Sequence, residues 1–309
     1  MRIVICEFME DSAVASLAAR LDVVYDRDLC DRRDELLTQL ADADAIIVRN
    51  RTQVDARLLH AAPRLLVVGR LGVGLDNIDT DACAAKGIDV IPAAGANAQA
   101  VAEYVIGTAM LLLRTAYQAS GAVGDGKWPR TALSNGREIA GKTLGVIGFG
   151  SIGRLTGRLG RALGMRVQGY DPQLPVGSPV WVAEHATPLS LDLVIAQSDV
   201  VSLHVPLTKE TRHLMDARRL ARMRPDAVLV NTARGGVVDE AAVAAALRAG
   251  TLGGAALDVF VAEPLPAGSP LAGCPNLILT PHIAGVTRES NVRVSTLIAT
   301  KVAAALVGR

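Results

Sequence analysis

The chain has 309 residues, 50 % of them hydrophobic but only 3 % aromatic, with 20 % charged residues and a net charge of +1. That length leaves room for two domains, and a charge near zero with no run of five like charges argues against broad attraction to nucleic acid or to a membrane surface. The core must be built from Ala, Val, Leu and Ile, which suits parallel strands covered by helices on both faces.

Strand-like and helix-like segments alternate from the first residues. Ile3 to Cys6, Val23 to Tyr25, Ala45 to Val48, Leu65 to Val68 and Asp89 to Ile91 read as short strands, with helical stretches at Val14 to Arg20, Arg33 to Ala41 and Asp55 to His60. This βαβα rhythm predicts a parallel sheet. Asn97 is placed to cap a long apolar helix running to about Tyr117, after which a loop carrying Gly121, Gly124 and Gly126 leads to Trp128 and Pro129. A second series starts at Thr143, with strands expected at Leu144 to Ile147, Val167 to Tyr170, Val200 to Leu203, Ala227 to Val230, Ala255 to Leu257 and Leu277 to Leu279. Six strands match a full dinucleotide-binding sheet. A last helix is expected over Arg288 to Val307.

The four cysteines, Cys6, Cys30, Cys83 and Cys274, lie far apart with no C-x-x-C pair, as expected of reduced thiols in a cytosolic protein, and no metal site is expected. The apolar stretch at the start is too short for a signal peptide, and Val105 to Leu113, the longest apolar run, is too short for a membrane span. A cytoplasmic location without membrane or nucleic-acid partners is expected.

Residues 144 to 153 read Leu-Gly-Val-Ile-Gly-Phe-Gly-Ser-Ile-Gly. A buried strand enters a glycine turn that opens a helix at Ser151. Gly148 permits the tight turn, Gly150 lets the backbone approach a pyrophosphate, and Gly153 lets helix pack on strand. The helix N-terminus offers free N–H groups to phosphates. Asp171, at the end of the next strand, is suited to accept from a ribose hydroxyl and to repel a 2′-phosphate. Strand, turn, helix, strand and acid in that order point to a dinucleotide site, where a lone glycine turn would not.

Three further segments follow predicted strands, where open α/β sheets bind ligands. Asn231-Thr232-Ala233-Arg234-Gly235 offers an arginine suited to bidentate carboxylate capture. Asp258 to Pro264 presents Glu263 on a proline-stiffened loop. Thr280-Pro281-His282-Ile283-Ala284-Gly285 presents a histidine, the side chain best suited to proton exchange near neutral pH. Taken singly, each has a plain alternative: a turn arginine, a solvated glutamate, a structural histidine.

Together these segments resemble the D-isomer-specific 2-hydroxyacid dehydrogenases. The resemblance rests on Gly69 to Asp79, Val101-Ala102-Glu103, Gly148 to Gly153, His204 to Thr208, Asn231 to Gly235, Asp258 to Pro264 and Pro281 to Gly285, in the family's order and nearly from end to end. It implies two doubly wound parallel-sheet α/β domains: a Rossmann NAD-binding domain over 97–286, inserted in a discontinuous flavodoxin-like substrate domain over 1–96 and 287–309. The active site would lie in the cleft between them. Arg234 would bind the substrate carboxylate, His282 would exchange a proton with the 2-keto oxygen, and Glu263 would hydrogen-bond His282. The resemblance further implies that Ser151 and Ile152 hold the pyrophosphate, and that Val205 and Pro206 line the adenosine. Thr232 and Asp258 would position the nicotinamide end, Ala233, Arg234, His282, Ala284 and Gly285 would also contact the cofactor, and the backbone of Gly72, Val73 and Gly74 would hold the carboxylate. Asp171 followed by Pro172-Gln173, with no adjacent cation, favours NAD over NADP. The helix from Ala98 and the loop through Trp128 resemble the family's dimer-forming region, so a homodimer through the NAD-binding domain is expected.

The substrate is expected to be a small 2-hydroxy or 2-keto acid. Arg49, Arg51 and Arg70 follow strands of the substrate domain and are suited to a second anionic group of 3-phosphoglycerate or sulfolactate type; the alternative is that they are structural or surface charges. Ile5 to Met9 and Arg49 to Thr52 look most like the sulfolactate dehydrogenase branch. A different reading on the same fold is an NAD(H)-sensing binding protein of the corepressor type. Nucleic-acid binding finds no basic stripe or aromatic cluster to support it.

Overall fold

The computed structural model describes residues 1–307, which divide into two compact units, 1–97 with 286–307 and 98–285. The first contains β1 (Arg2–Ile5), α1 (Asp11–Ala18), β2 (Asp22–Tyr25), α2 (Arg33–Gln39), β3 (Ala45–Val48), α3 (Ala56–Ala61), β4 (Val67–Arg70), α4 (Thr80–Ala85) and β5 (Asp89–Pro92). All its strand pairs are parallel, in the order β2-β1-β3-β4-β5. The central strands are apolar on both faces because both are covered. Ile3, Ile5, Ala45 and Ile47 face one layer, while Val4, Ile46 and Val48 face the other, with Leu36, Leu58 and Leu59.

The second unit contains α5 (Ala98–Arg114), α6 (Ser120–Gly124), β6 (Thr143–Ile147), α7 (Ser151–Ala162), β7 (Arg166–Tyr170), α8 (Pro179–Ala183), β8 (Thr187–Pro188), α9 (Leu191–Gln197), β9 (Val200–Leu203), α10 (Ala217–Leu220), β10 (Val228–Asn231), α11 (Glu240–Arg248), β11 (Gly254–Leu257) and β12 (Leu277–Leu279). Its sheet runs β12-β11-β10-β9-β6-β7-β8, entirely parallel, with the order reversing between β6 and β9. That reversal is the switch point at which doubly wound sheets bind ligands. The chain ends its described part with α12 (Arg288–Val307), which belongs to the first unit. Gly69 of β4 lets this helix close in, since a Cβ there would lie 2.8 Å from the Val302 side chain.

Several sequence expectations need correction. β4 starts at Val67 rather than Leu65: Leu65 N still donates to Ala62 O in the turn after α3, and Leu66 N donates to Asp44 O just ahead of the paired strand residues. The long helix stops at Arg114, where Thr115 adopts a left-handed φ of 55°, and Tyr117 falls in a separate 3-10 turn. Asn97 does not cap it: the buried Asn97 Oδ1 has no hydrogen-bond partner among the described residues. Gly121 and Gly124 lie within the short α6 rather than in a loop. The two-residue β8 makes a seventh strand, too short to leave a hydropathy signal.

Candidate active site

In the second unit the carboxyl ends of the strands are level. Tyr170 pairs with Ile147, Ile147 with Leu203, Leu203 with Asn231, Asn231 with Leu257, and Leu257 with Leu279. The next residue on each strand is therefore Asp171, Gly148, His204, Thr232, Asp258 or Thr280, so the segments singled out in the sequence leave one edge of one sheet.

The glycines of the β6–α7 turn have distinct constraints. Gly148 has φ 92°, and a Cβ there would lie 2.4 Å from the His204 carbonyl oxygen. A Cβ on Gly153 would lie 2.1 Å from the Gly148 carbonyl, whereas one on Gly150 would meet nothing within 4 Å. Gly150 therefore borders open space beside the first amides of α7, Ser151 and Ile152, which have no intrahelical acceptors. Asp171 closes the turn from the neighbouring strand, accepting from Phe149 N at 2.7 Å and from Gln173 N at 2.8 Å. Beyond β9, Val205 is half-buried against the Gly148 turn and Pro206 is exposed. His204 Nε2 lies 2.8 Å from Ser202 Oγ, and burial pushes its pKa down to about 4, so the ring is neutral at physiological pH. Thr232 Oγ1 is buried at the same edge without a hydrogen-bond partner among the described residues. An open phosphate cradle, an acid at the next strand and an orphaned hydroxyl fit a dinucleotide such as NAD.

Arg234, Glu263 and His282 are set by three interlocking loops. Asn231 fixes the first: its Oδ1 accepts from Ala233 N at 3.0 Å and its Nδ2 donates to Arg234 O at 3.1 Å. Arg234 Nη1 donates to Ala233 O at 2.6 Å. Gly235 then packs against the second loop so closely that a Cβ would lie 1.8 Å from Phe260 O. In that loop Phe260 N donates to Glu263 Oε1 at 3.0 Å, while Glu263 Oε2 lies 2.8 Å from His282 Nδ1. His282 has φ 55°, in the left-handed region that residues other than glycine adopt sparsely.

Asp258 maintains that conformation. Buried to 1 % exposure, it accepts from Thr280 Oγ1 at 2.6 Å, from Ile283 N at 2.8 Å and from Ala284 N at 2.8 Å, and its backbone carbonyl accepts from His282 N at 2.8 Å. The sequence leads one to expect Asp258 at the nicotinamide end; in the structure its carboxylate ties down the loop through Ala284. Tyr104 of α5 extends the network, with its hydroxyl 2.6 Å from Thr280 Oγ1. Tyr104 leaves no signal in the sequence, since nothing local links it to a residue 176 positions away. The result is a histidine with Nδ1 on a carboxylate and Nε2 free of partners among the described residues, with its ring 41 % exposed. Such a group can pass a proton to and from a bound molecule.

The first unit contributes a second constellation at its own carboxyl edge. Glu7, 3 % exposed, accepts from the backbone N–H groups of Arg49, Asn50, Arg51 and Thr52 at 2.8 to 3.2 Å. Arg49 Nη2 donates to Asn291 Oδ1 at 3.0 Å. Arg51 points elsewhere and pairs with Asp31. Arg70 Nη1 donates to Leu71 O at 2.9 Å and lies over Gly72, where a Cβ would collide with it. Gly72 is buried with φ 158°, Val73 is exposed and Gly74 half-buried.

Residues 106–284 match the family model described as D-isomer specific 2-hydroxyacid dehydrogenase, NAD binding domain. The chain is 50 % identical over 305 residues to (S)-sulfolactate dehydrogenase of Chromohalobacter salexigens, covering 98 % of each. It is 40 % identical over 307 residues to D-3-phosphoglycerate dehydrogenase of Mycobacterium tuberculosis, spanning 99 % of itself but 57 % of that protein's length. A crystal structure of D-lactate dehydrogenase from Aquifex aeolicus, complexed with NAD and lactic acid, superposes with a TM-score of 0.83 at 31 % identity, covering 100 % of this chain and 96 % of that one.

Proposed function

The chain belongs to the D-isomer-specific 2-hydroxyacid dehydrogenase family, and on that footing we propose that Arg234, Glu263 and His282 carry its chemistry. It is an NAD-dependent oxidoreductase acting on a small 2-hydroxy or 2-keto acid. Arg234 binds the substrate carboxylate and polarises the 2-keto oxygen. His282 gives a proton from Nε2 to that oxygen in reduction and takes it from the hydroxyl in oxidation. Glu263 holds the ring by Nδ1 and stabilises the positive charge that develops during proton exchange. Bound NAD supplies the two-electron step at C2. The observation that carries this reading is the 2.8 Å contact between His282 Nδ1 and Glu263, on a loop that Asp258 keeps in a left-handed turn.

The unit over 98–285 is assigned to NAD. The amides of Ser151 and Ile152 serve the pyrophosphate beside Gly150, Asp171 serves the ribose, and Val205 and Pro206 serve the adenosine. Thr232 and Ala233 border the nicotinamide, with Ala284 and Gly285 in the His282 loop. The other unit is assigned to substrate, with the backbone at Gly72, Val73 and Gly74 for the carboxylate. Likeness to a sulfolactate dehydrogenase over nearly the whole of both chains supports a substrate with a second anion on C3. The NAD(H)-sensing alternative is not favoured, since the named relatives are dehydrogenases and the His–Glu pair is intact.

A homodimer is proposed through the surface of α5 and the segment that follows, where Met110, Leu111, Tyr117, Val123 and the 79 % exposed Trp128 present apolar area to solvent. A cytoplasmic location is in keeping with the four cysteines, all free thiols. No described helix is long and apolar enough to cross a membrane. The function is tested by following NADH oxidation with glyoxylate, hydroxypyruvate, 3-phosphohydroxypyruvate and sulfopyruvate. The highest kcat/KM is expected with sulfopyruvate. NADH binding without turnover of any of the four would instead favour the sensing role.

A further inference from the structure

We infer that the substrate's second anionic group, a tetrahedral oxyanion on C3, is taken by Arg27 and Arg49, held on the ring of Phe8, and not by Arg51. This rests on the reading above that the substrate carries such a group. Phe8, Arg27 and Arg49 follow the carboxyl ends of β1, β2 and β3, three neighbouring strands. In a sheet ordered β2-β1-β3-β4-β5 the switch point lies between β1 and β3, and ligands bind outside the strand ends there. Glu7–Phe8 and Arg49 flank that point.

Charge accounting separates the three arginines. Arg51 is exposed and neutralised by Asp31. Arg27 has no carboxylate within salt-bridge distance among the described residues, and neither has Arg49. Glu7, an acid facing Arg49, is occupied by four backbone N–H donors; Glu10 is the other acid whose field reaches it. Arg49 is half-buried, and burial pushes its pKa down, the signature of a cation held where water solvates it poorly. Its side chain makes one hydrogen bond among the described residues, to Asn291, which leaves most of its five donors free.

Phe8 is the element the two arginines share. The Arg27 guanidinium carbon lies 5.9 Å from the ring centroid and that of Arg49 lies 5.7 Å from it. Contact with an aromatic face stabilises a guanidinium without using its N–H groups, so the donor edges stay available for an oxyanion. A sulfonate or a phosphate presents the three or more oxygens that two such forks satisfy. Glyoxylate has no such group and gains nothing from the clamp.

The test uses the NADH-loaded protein with Arg27→Ala, Phe8→Leu and Arg51→Ala. Arg27 is exposed, so its loss does not endanger the fold. Steady-state kinetics give the ratio of kcat/KM for sulfopyruvate to that for glyoxylate. Calorimetry gives the Kd of 3-sulfopropanoate, which carries both anions but cannot be reduced, against propanoate. The expected result is a fall of about tenfold or more in the ratio, and a matching rise in the 3-sulfopropanoate Kd, for Arg27→Ala. Phe8→Leu is expected to shift both in the same direction, and Arg51→Ala to shift them less than Arg27→Ala. The same loss with 3-phosphohydroxypyruvate in place of sulfopyruvate supports the clamp and identifies phosphate as its anion. Equal losses for both keto acids, an unchanged Kd, or a larger effect of Arg51→Ala overturn the assignment. Absence of turnover in the unsubstituted protein counts against the dehydrogenase reading, while the calorimetric Kd still decides the role of Arg27.

Discussion

Gly150→Ala separates binding of the dinucleotide from stability of the turn that binds it. Gly150 has φ −75° and ψ −159°, a conformation open to alanine, and the added Cβ meets no atom within 4 Å. Stability should therefore stay within about 0.5 kcal/mol or rise slightly, because alanine restricts the unfolded chain. That empty space is where a pyrophosphate must approach the first amides of α7. A methyl there lengthens contacts that are charge-assisted hydrogen bonds worth roughly 1.5–3 kcal/mol each. Losing one is about a 10- to 150-fold rise in the Kd for NADH. Gly153→Ala is the contrasting case, since its Cβ would sit 2.1 Å from the Gly148 carbonyl and the helix must move. It should cost roughly 1–3 kcal/mol of stability and lower the melting temperature by several degrees. Titration of NADH fluorescence and thermal denaturation of both variants measure the two effects. An unchanged NADH affinity in folded Gly150→Ala would refute the cradle.

Two further outcomes follow from the second unit. Arg158, hydrogen-bonded to the buried Glu184, holds that carboxyl below the usual glutamate range. A carboxyl lowered in the folded state adds stability above its unfolded value near 4.5, and the gain is lost as pH falls through the lower folded value. Glu184→Gln should therefore destabilise by about 1–2 kcal/mol at pH 7 and by progressively less as pH falls below 4.5 through the lower folded value, read as melting temperatures across that range; an equal loss throughout would contradict the ion pair. Tyr104→Phe removes the hydroxyl that holds Thr280, loosening the loop of His282. Turnover should fall several-fold while the Kd for NADH changes little, and equal changes in both would point to a general structural defect.

The sequence carries the rhythm of both sheets because each strand is an apolar run long enough to stand out between helices. It also carries the dinucleotide turn, whose glycines are local necessities, and the loops of Arg234, Glu263 and His282. What it does not carry are pairings made by the fold alone. Glu7 gathers four amides from residues more than forty positions away, which turns the Arg49–Thr52 loop and leaves Arg51 facing Asp31. Arg27 and Phe8 have no local feature that marks them; they matter only once β2, β1 and β3 lie side by side. Asp258 is legible as an acid after a strand, but its carboxylate could equally face a ligand or the loop until Ile283 and Ala284 are seen to occupy it.

The most direct measurement compares His282→Asn with the unsubstituted protein, following both NADH binding and NADH oxidation by sulfopyruvate or glyoxylate in the same preparation. If His282 moves the proton at the 2-keto oxygen, the variant binds NADH with nearly the original affinity and loses turnover by roughly 10²- to 10⁴-fold. Turnover retained in the variant at a comparable rate would contradict the account.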